Sequence, residues 1–414
     1  MKFNQWTLGL AAVGAVSMAS AVRADDAPKP SALNTALSNT TISGYISTSA
    51  NVALDPTGLT YARSVASNIP MQAGKQDGFN LDVVELSIAK PEDATPYASG
   101  YQVELLFGPD ANGIGNPSTP SASVTGTSKT SEIAIKQAYV TLNTPVGNGI
   151  DWKIGVFDTI IGYEAYNLTA NPNYTRSYGW AAEPTEHTGV LATYKVNDAW
   201  SFSAGVANTL SAGINTRNGS GGVNGEADYW RKTVMGDVVF TFPTDTGWAA
   251  GSSLYLGAVY GYGGGGTTAY AKGDQFNGYV GLTLNTPCKA LTVGAALDYV
   301  QNLGGGSQGG GYSYHTDETV LGLYANYKAT DKLSLNARGE YIRNSTLGHY
   351  SGDGVSYNYN THVIGYELTG TVEYDLWANV MTRAELRWDH QSTRNFGDYN
   401  RSALGLYANV IYKF

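Results

Sequence analysis

The sequence predicts an all-β fold, a transmembrane antiparallel β-barrel of about sixteen strands, with about 14 to 18 as the range. Three observations predict it. An export signal opens the chain, apolar residues recur at every second position from residue 40 to the end, and the connections between these segments alternate between short and long. Strands with two differently solvated faces, joined by unequal turns at the two ends, are typical of bacterial membrane barrels.

Residues 1–24 have the organisation of a cleaved secretory signal. Lys2 supplies the positive charge at the start, and residues 8–16 form the apolar core. Val22-Arg23-Ala24 is a candidate cleavage site with small residues, and Ala19-Ser20-Ala21 is a second one. The apolar core is too short to span a bilayer as a helix. The mature chain is therefore expected to be exported and released from the inner membrane.

The composition favours strands and excludes several kinds of function. The 414 residues include 51 Gly and 30 Tyr but only 5 Met, which favours turn-rich strands over helices. Without Lys2 and Arg23 the chain has 23 basic and 34 acidic side chains, a net charge of -11, so we expect no nucleic-acid partner. The single Cys288 cannot form an internal disulfide and is expected in a turn.

Beyond the signal, residues 25–39 are predicted to be a flexible periplasmic lead and residues 40–414 the barrel. The last strand shows the alternation best, with one apolar face formed by Leu404, Leu406, Ala408, Val410, Tyr412 and Phe414. Long connections are expected outside the cell and short ones in the periplasm. The long connections are predicted at 55–77, 110–131, 159–185, 209–230, 302–314, 344–359 and 390–400.

Aromatic residues cluster near the predicted strand ends, where a ring can lie between lipid and water. The alternative is that they are scattered core aromatics of a soluble protein. The candidates for such a girdle are Trp152, Trp200, Trp248, Trp377, Tyr374 and Tyr412.

Several motifs in the front half of the barrel region resemble one known family. They are Gly78-Phe79-Asn80-Leu81-Asp82-Val83-Val84-Glu85-Leu86, Leu106-Phe107-Gly108-Pro109-Asp110, Lys136-Gln137-Ala138-Tyr139-Val140, Gly155-Val156-Phe157-Asp158-Thr159 with Ile161-Gly162-Tyr163-Glu164, Asn171-Pro172-Asn173-Tyr174 to Ser177-Tyr178, and Glu183-Pro184-Thr185 with His187-Thr188-Gly189. With these motifs the chain resembles the OmpL-like β-barrel porins of Gram-negative bacteria. The resemblance implies a barrel in the outer membrane, surrounded by its lipids, that conducts solutes; it supplies no binding residues.

The last residues, Tyr412-Lys413-Phe414, are similar to the aromatic end by which the barrel-insertion machinery recognises its substrates. That machinery is therefore an expected partner. Trimers are usual for barrels of this size, so a homotrimer is a further expectation, although no interface pattern in the sequence specifies one.

A barrel of about sixteen strands is too wide for its own side chains to fill, so it leaves an aqueous channel. We expect passive diffusion of small polar solutes and ions through it. Charged side chains at inward positions would line this channel, or would pair across strands and merely hydrate the wall. These candidates are Lys136, Lys153, Arg338, Glu340, Glu367, Glu373, Arg383, Glu385, Arg387 and Asp389.

The connection at residues 159–185 is the third long outer loop and is a candidate constriction. If it enters the lumen, its carboxylates opposite Arg176 predict an acidic constriction with modest cation preference. The alternative is an outward loop with solvated charges. The candidate residues are Asp158, Glu164, Arg176, Glu183 and Glu186.

Other functions have less support in the sequence. The chain has no Gly-x-Ser-x-Gly motif, and its five histidines have no metal-ligand spacing, so no enzyme activity, cofactor or metal is expected. Two alternatives stay open. One is a channel selective for sugars or oligosaccharides, and the other is a non-conducting structural or adhesive barrel whose outer loops bind sugars or another cell.

Overall fold

The computed structural model describes residues 39–54, 75, 77–93, 95–114, 133–210, 212–215, 231–262, 274–302, 312–352, 355–393 and 400–414. At 112–113, 262, 312–315, 346–352, 355–359 and 361 it describes the backbone alone. The predicted signal, the predicted lead up to residue 38, and most of the predicted loops at 55–77, 110–131, 209–230, 302–314 and 390–400 lie outside these residues.

Sixteen antiparallel strands form one closed barrel, which confirms the predicted fold class. Each strand pairs with its neighbours in the chain, and the first pairs with the last. The strands are β1 (Thr41–Ala53), β2 (Gly78–Lys90), β3 (Ser99–Phe107), β4 (Ile133–Thr144), β5 (Ile150–Asp158), β6 (Glu186–Lys195), β7 (Trp200–Ala207), β8 (Thr233–Thr241), β9 (Ser253–Tyr262), β10 (Asp274–Asn285), β11 (Leu291–Asn302), β12 (Tyr312–Lys328), β13 (Leu333–Gly352), β14 (Val355–Trp377), β15 (Val380–Gln391) and β16 (Ser402–Lys413).

Helical structure in the described residues is limited to single turns. They are α1 (Pro109–Gly113), α2 (Tyr178–Ala182) and the 3-10 turns Leu168–Ala170 and Gly247–Ala249. No described helix has the length and hydropathy to cross a membrane.

The chain end closes the barrel. The backbone N–H of Gly44 donates to the carbonyl of Phe414 at 3.1 Å, and the N–H of Phe414 donates back to Gly44 at 3.0 Å. Closure gives every strand two hydrogen-bonded neighbours, which is the condition for strands to cross a hydrocarbon layer.

The two faces of each strand differ sharply in exposure. On β14, Leu368 is 59% exposed on the outside, while the adjacent Glu367 is fully buried inside. On β15, Leu386 is 47% exposed and the adjacent Arg387 is fully buried. An outer surface of large apolar side chains around a polar interior fits contact with lipid and would be unstable in water.

Most of the predicted girdle aromatics lie exposed at the end with the short turns. Their exposed fractions are 42% for Trp200, 54% for Trp248, 67% for Trp377, 40% for Tyr374 and 48% for Tyr412. Trp152 is half-buried, and its indole N–H donates to the hydroxyl of Thr144 at 3.0 Å. At the same end, Cys288 is exposed in the turn between β10 and β11.

The prediction of a long loop at 344–359 is wrong. β13 and β14 continue through it as a hairpin, with Gly352 opposite Val355. Apolar and polar residues do not alternate regularly in this stretch, although the backbone pairing of the two strands continues. The sequence pattern therefore marked the end of the lipid-facing surface and not the end of the strands.

Candidate functional site in the barrel lumen

Residues 159–185, which connect β5 to β6, fold into the barrel and form the candidate site. We call this segment the lumen loop. At its base, the backbone N–H of Thr159 donates to the carbonyl of Thr185 at 2.9 Å. Farther along, Tyr174 and Arg176 are each 1% exposed. The loop thus lies among the inward side chains of the strands.

One side of the lumen loop packs on an apolar wall formed by β6 to β12. Ile160 and Ile161 belong to a buried apolar cluster with residues of these strands. The ring of Tyr163 stacks on Tyr324 of β12, with centroids 4.0 Å apart. Gly294 of β11 leaves the space for this ring, because a Cβ there would overlap the Tyr163 hydroxyl.

The opposite side of the loop lies on a charged wall formed by β13, β14 and β15. The guanidinium of Arg383 donates to the carbonyls of Leu168 and Asn171 at 3.0 and 2.5 Å. Arg387 donates to the carbonyl of Arg176 at 2.5 Å. The arginines thus provide hydrogen bonds to carbonyls of a buried backbone.

Carboxylates of the same wall accept hydrogen bonds from the loop backbone. Glu385 accepts from the N–H groups of Tyr174 and Thr175 at 2.6 and 2.9 Å. Glu340 accepts from the N–H of Tyr178 at 2.7 Å. Donors and acceptors of the loop therefore bind wall charges of opposite sign, which fixes both the position and the direction of the loop.

Arg338 links the wall and the loop through an ion-pair network. Its Nη1 lies 2.7 Å from Glu164 of the loop and donates to the carbonyl of Thr175 at 2.7 Å. Its Nε lies 3.2 Å from Glu367 on β14. Arg338, Glu164 and Glu367 side chains are at most 2% exposed, so removal of one partner leaves a buried unpaired charge.

The remaining wall charges also pair within the wall. Arg383 lies 3.2 Å from Glu373, and Arg387 lies 2.8 Å from Asp389. All the candidates predicted on β13 to β15 therefore point into the lumen and face the loop or one another. Their contribution to solute passage stays a prediction.

Among the described residues Arg176 forms no ion pair with a loop carboxylate, although Glu164 is its strongest charged neighbour. It donates to the carbonyls of Ala165 and Tyr166 within the loop, and its guanidinium lies over the rings of Tyr166 and Trp180. Glu164 pairs instead with Arg338. Arg176 thus stabilises the shape of the loop, and its part in a constriction stays a prediction.

Asp158 and Glu186 are strand residues at the base of the loop. They lie directly opposite each other at the adjoining ends of β5 and β6. Asp158 pairs at 2.8 Å with Lys136 of β4, which also lies 2.9 Å from Glu104. Glu186 is fully buried and interacts electrostatically with Asp158 and Lys136. Three carboxyl groups, those of Glu104, Asp158 and Glu186, thus surround the one ammonium group of Lys136.

Lys153 of β5 lies on the same side of the lumen, towards the short turns. Its Nζ is 4.9 Å from the ring centroid of Tyr139, whose hydroxyl donates to Gln102 at 2.9 Å. Thr141 lies directly opposite Lys153 in the register of β4 and β5. No carboxylate lies within ion-pair distance of Lys153 among the described residues.

Glu183 ends the loop beside Asp298 of β11. Burial and the neighbouring Asp298 carboxyl raise the pKa of Glu183 well above its ordinary value. Two carboxyls that share one proton attract each other, whereas two carboxylates repel. The end of the loop is thus bound to β11 in a manner that depends on a proton.

Sequence reasoning missed Asp82, a fully buried anchor of the loop on β2. Its carboxylate accepts from the hydroxyls of Ser47, Ser49 and Tyr174, each at 2.8 Å. A β-bulge between Ser47 and Thr48 shifts the register of β1 and β2 here. The bulge breaks the strict alternation, which is why inward positions on β2 were not recognised. The motif 78–86 was the available signal.

The described residues contain no cluster of His, Cys, Asp or Glu arranged to hold a metal ion. His187 is fully buried beside Phe157, with ring centroids 6.4 Å apart, and lies far from the other described histidine side chains on β14 and β15. The site is therefore one of backbone anchoring and ion pairs.

Several solved outer-membrane proteins have a similar fold. OmpT of Vibrio cholerae in its trimer form is 14% identical, with a TM-score of 0.53 and coverage of 91% of this chain and 99% of that chain. The outer membrane channel DcaP of Acinetobacter baumannii is 12% identical, with a TM-score of 0.53 and coverage of 91% and 97%. An anion-selective porin from Comamonas acidovorans is 12% identical, with a TM-score of 0.52 and coverage of 91% and 99%.

At such identities the likeness concerns the fold alone. In a comparison of sequences, no curated protein matches the chain. The family model of OmpL-like beta-barrel porin-2 proteins, however, matches residues 39–414, which is the whole barrel. The chain therefore belongs to the OmpL-like family of outer-membrane β-barrel porins.

Proposed function

We propose that the protein conducts small polar solutes and ions by passive diffusion and catalyses no reaction. The observation that carries this proposal is a wide closed barrel whose lumen contains a firmly anchored loop. A barrel of sixteen strands encloses more space than its own side chains fill. The lumen loop narrows this space to a passage, and the wall charges hold the loop in place.

We further propose that the passage prefers cations. Near the loop base, Glu85, Glu104, Asp158 and Glu186 surround Lys136. On the opposite wall, the arginine side chains are paired with carboxylates and donate to loop carbonyls. They therefore add little positive potential to the passage. An excess of negative charge on a narrow wall raises the local concentration of cations.

A planar bilayer tests both parts of this proposal. Folded, purified protein should give stable single-channel steps, and a salt gradient should give a reversal potential of the sign for cation selectivity. Absence of steps from protein that retains its β-sheet circular dichroism would contradict conduction and favour a structural barrel. Steps with anion selectivity would contradict the second part alone.

A solute-selective channel is a second candidate, favoured by contacts of the loop on both sides of the lumen. Tyr163 packs on β12, whereas Arg383 and Arg387 hold the loop on β15. A passage narrowed from two sides sieves larger solutes. Block of the conductance by sugars or oligosaccharides at submillimolar concentration would favour this candidate over a general porin.

We also propose a homotrimer in the outer membrane, in line with the trimer form of the Vibrio cholerae OmpT. Insertion by the barrel-insertion machinery would use the terminal Phe414, whose backbone completes the pairing of β16 with β1. Mass measurement of the protein in detergent gives the subunit number.

A further inference from the structure

A group of polar and aromatic side chains faces outward at the end of the barrel opposite the short turns. On β13, Tyr341 and Arg343 follow the apolar outward residues, and Arg343 is exposed. On β14, Tyr366 is 46% exposed and His362 lies exposed farther along the strand. On β15, the ring of Trp388 also faces outward. We call these five residues the outer-edge patch.

The height of Arg343 places it at the edge of the hydrocarbon. The stretch from Leu333 to Arg343 rises about 25 Å along the barrel axis, at about 3.3 Å per residue and a tilt of about 40°. Leu333 lies opposite Tyr374, a residue of the aromatic girdle at the other end. An apolar band about 25 Å tall is typical of such barrels, so Arg343 reaches the headgroup level of the outer leaflet.

Aromatic rings mark the same level. The rings of Tyr341 and Tyr366 lie 5.6 Å apart on neighbouring strands, and Trp388 lies on the next strand beside His390, at 5.8 Å. Tyr and Trp are enriched where hydrocarbon meets headgroups. Arg343 therefore emerges from a belt of rings directly into the polar layer.

The charge of Arg343 is available to a ligand. Within the part of the chain that the structure describes, Arg343 makes no ion pair or side-chain hydrogen bond. Arg231, on the same rim, lies 3.3 Å from Asp274. On β12, Asp317 lies diagonal to Arg343 in the strand register and accepts from the Tyr299 hydroxyl at 3.2 Å.

We propose that the outer-edge patch binds the phosphate group of a lipid in the outer leaflet. A guanidinium presents a planar fork of donors that matches phosphate oxygens, and His362 on the adjacent strand adds a further donor. Acyl chains would lie on the exposed Leu368 and Tyr366 below. The inference requires the outer-membrane location of the family and does not require conduction.

The β13–β14 hairpin gives such a headgroup a surface to lie on. β13 has 20 residues and β14 has 23, more than the lipid thickness requires, so the hairpin projects beyond the headgroup level. A lipid with a large phosphorylated headgroup would contact both the patch and this extension.

Binding of lipid A by the full-length protein in detergent, measured by native mass spectrometry, tests the proposal. Wild-type protein should bind the bis-phosphorylated lipid more tightly than the same lipid after enzymatic dephosphorylation. Arg343→Gln should raise the half-saturating concentration about tenfold, the loss expected for one charge-assisted hydrogen bond of about 1.4 kcal/mol. Arg343→Lys should give an intermediate value because it keeps the charge and loses the fork.

Arg231→Gln is the matched control, since it removes the same charge from the same rim, and it should bind like wild type. Heat-modifiable mobility in gels verifies that each variant is folded. Equal binding by Arg343→Gln and wild type, equal binding of the dephosphorylated lipid, or competition by inorganic phosphate at matched concentration would overturn the proposal. Loss of oligomer in Arg343→Gln with unchanged lipid affinity would overturn it in favour of a contact between copies.

Discussion

The two sides of the lumen loop are anchored by different physical means. On β13 to β15 the anchors are charges that bind loop backbone atoms, as with Arg383 and Glu385. On β6 to β12 most anchors are apolar side chains, as with Ile161 against Gly257, with neutral hydrogen bonds from Tyr255 and Asn277 to loop carbonyls beside them. Ionic hydrogen bonds depend on direction and on partners, whereas apolar burial depends on area alone. The charged wall thus specifies where the loop lies, and the apolar wall stabilises it there.

This comparison also explains why the wall charges are compatible with a buried position. A buried ion pair repays its desolvation only when its hydrogen-bonding capacity is well satisfied. Arg338 meets this condition with two carboxylates and the carbonyl of Thr175. The loop and the wall therefore satisfy each other, and neither is expected to keep its arrangement without its partner.

Removal of a wall charge should have the largest effect. Arg338→Ala leaves Glu164 buried without its ion-pair partner and Glu367 with Arg387 alone, 4.0 Å away, and we expect a loss of about 3 to 5 kcal/mol in the free energy of unfolding. Reversible unfolding in urea in the presence of lipid vesicles measures it. Channel conductance should rise and become noisier as the loop detaches.

The control is Lys328→Ala, which breaks the exposed pair with Asp331 at 3.9 Å and should cost about 0 to 1 kcal/mol. Similar losses in the two variants would show that the wall charges do not anchor the loop.

Truncation on the apolar side should have the next largest effect. Ile161→Ala removes a buried side chain, and we expect a loss of about 2 to 4 kcal/mol. Hydrogen exchange of the loop amides should quicken first at residues 160–164, and the amides bound to Glu385 should change less. Uniform acceleration along the whole loop would contradict separate anchoring on the two sides.

The proton held near Glu183 predicts a smaller effect that depends on pH. Because the pKa of Glu183 is raised, its contribution to loop docking is complete below the ordinary Glu value and declines as pH rises through the raised value. Loop amides near α2 should therefore exchange faster at pH 9 than at pH 6, after correction for intrinsic exchange. Glu183→Gln keeps a neutral hydrogen-bonding group and should remove this difference; a difference that persists would point to another titrating group.

The barrel could be predicted from the sequence because its cause is local and periodic. The outward residues of β16, such as Leu406 and Val410, lie at every second position, and the structure has them exposed. The same reasoning found the inward charges Arg338 and Glu367, because a charge at an inward phase cannot face lipid.

The arrangement of the lumen loop could not be predicted in this way. The loop groups that Arg383 and Arg387 bind are backbone carbonyls far away in the chain, and a carbonyl has no residue identity to recognise. The hydrogen bonds of Arg176 were not foreseen for a related reason, since they go to carbonyls of its own loop. Sequence patterns report which side chains avoid lipid, whereas three-dimensional packing decides what they bind.

The smallest expected effect concerns α2, the single helical turn within the lumen loop. The Ser177 hydroxyl accepts from the N–H of Trp180 at 2.9 Å as the N-cap of this turn. Ser177→Ala leaves that donor without its acceptor and should lower the free energy of unfolding by about 1 kcal/mol.

Ser177→Asp should restore the cap but bring a negative charge close to Glu164, which accepts from the backbone N–H of residue 177 at 2.9 Å. We therefore expect Ser177→Asn, a neutral cap, to be more stable than either variant in urea unfolding. If Ser177→Asp were more stable than Ser177→Asn, the positive charges of Arg338 and Arg176 would outweigh the repulsion from Glu164, and the charged wall would also stabilise the helical turn.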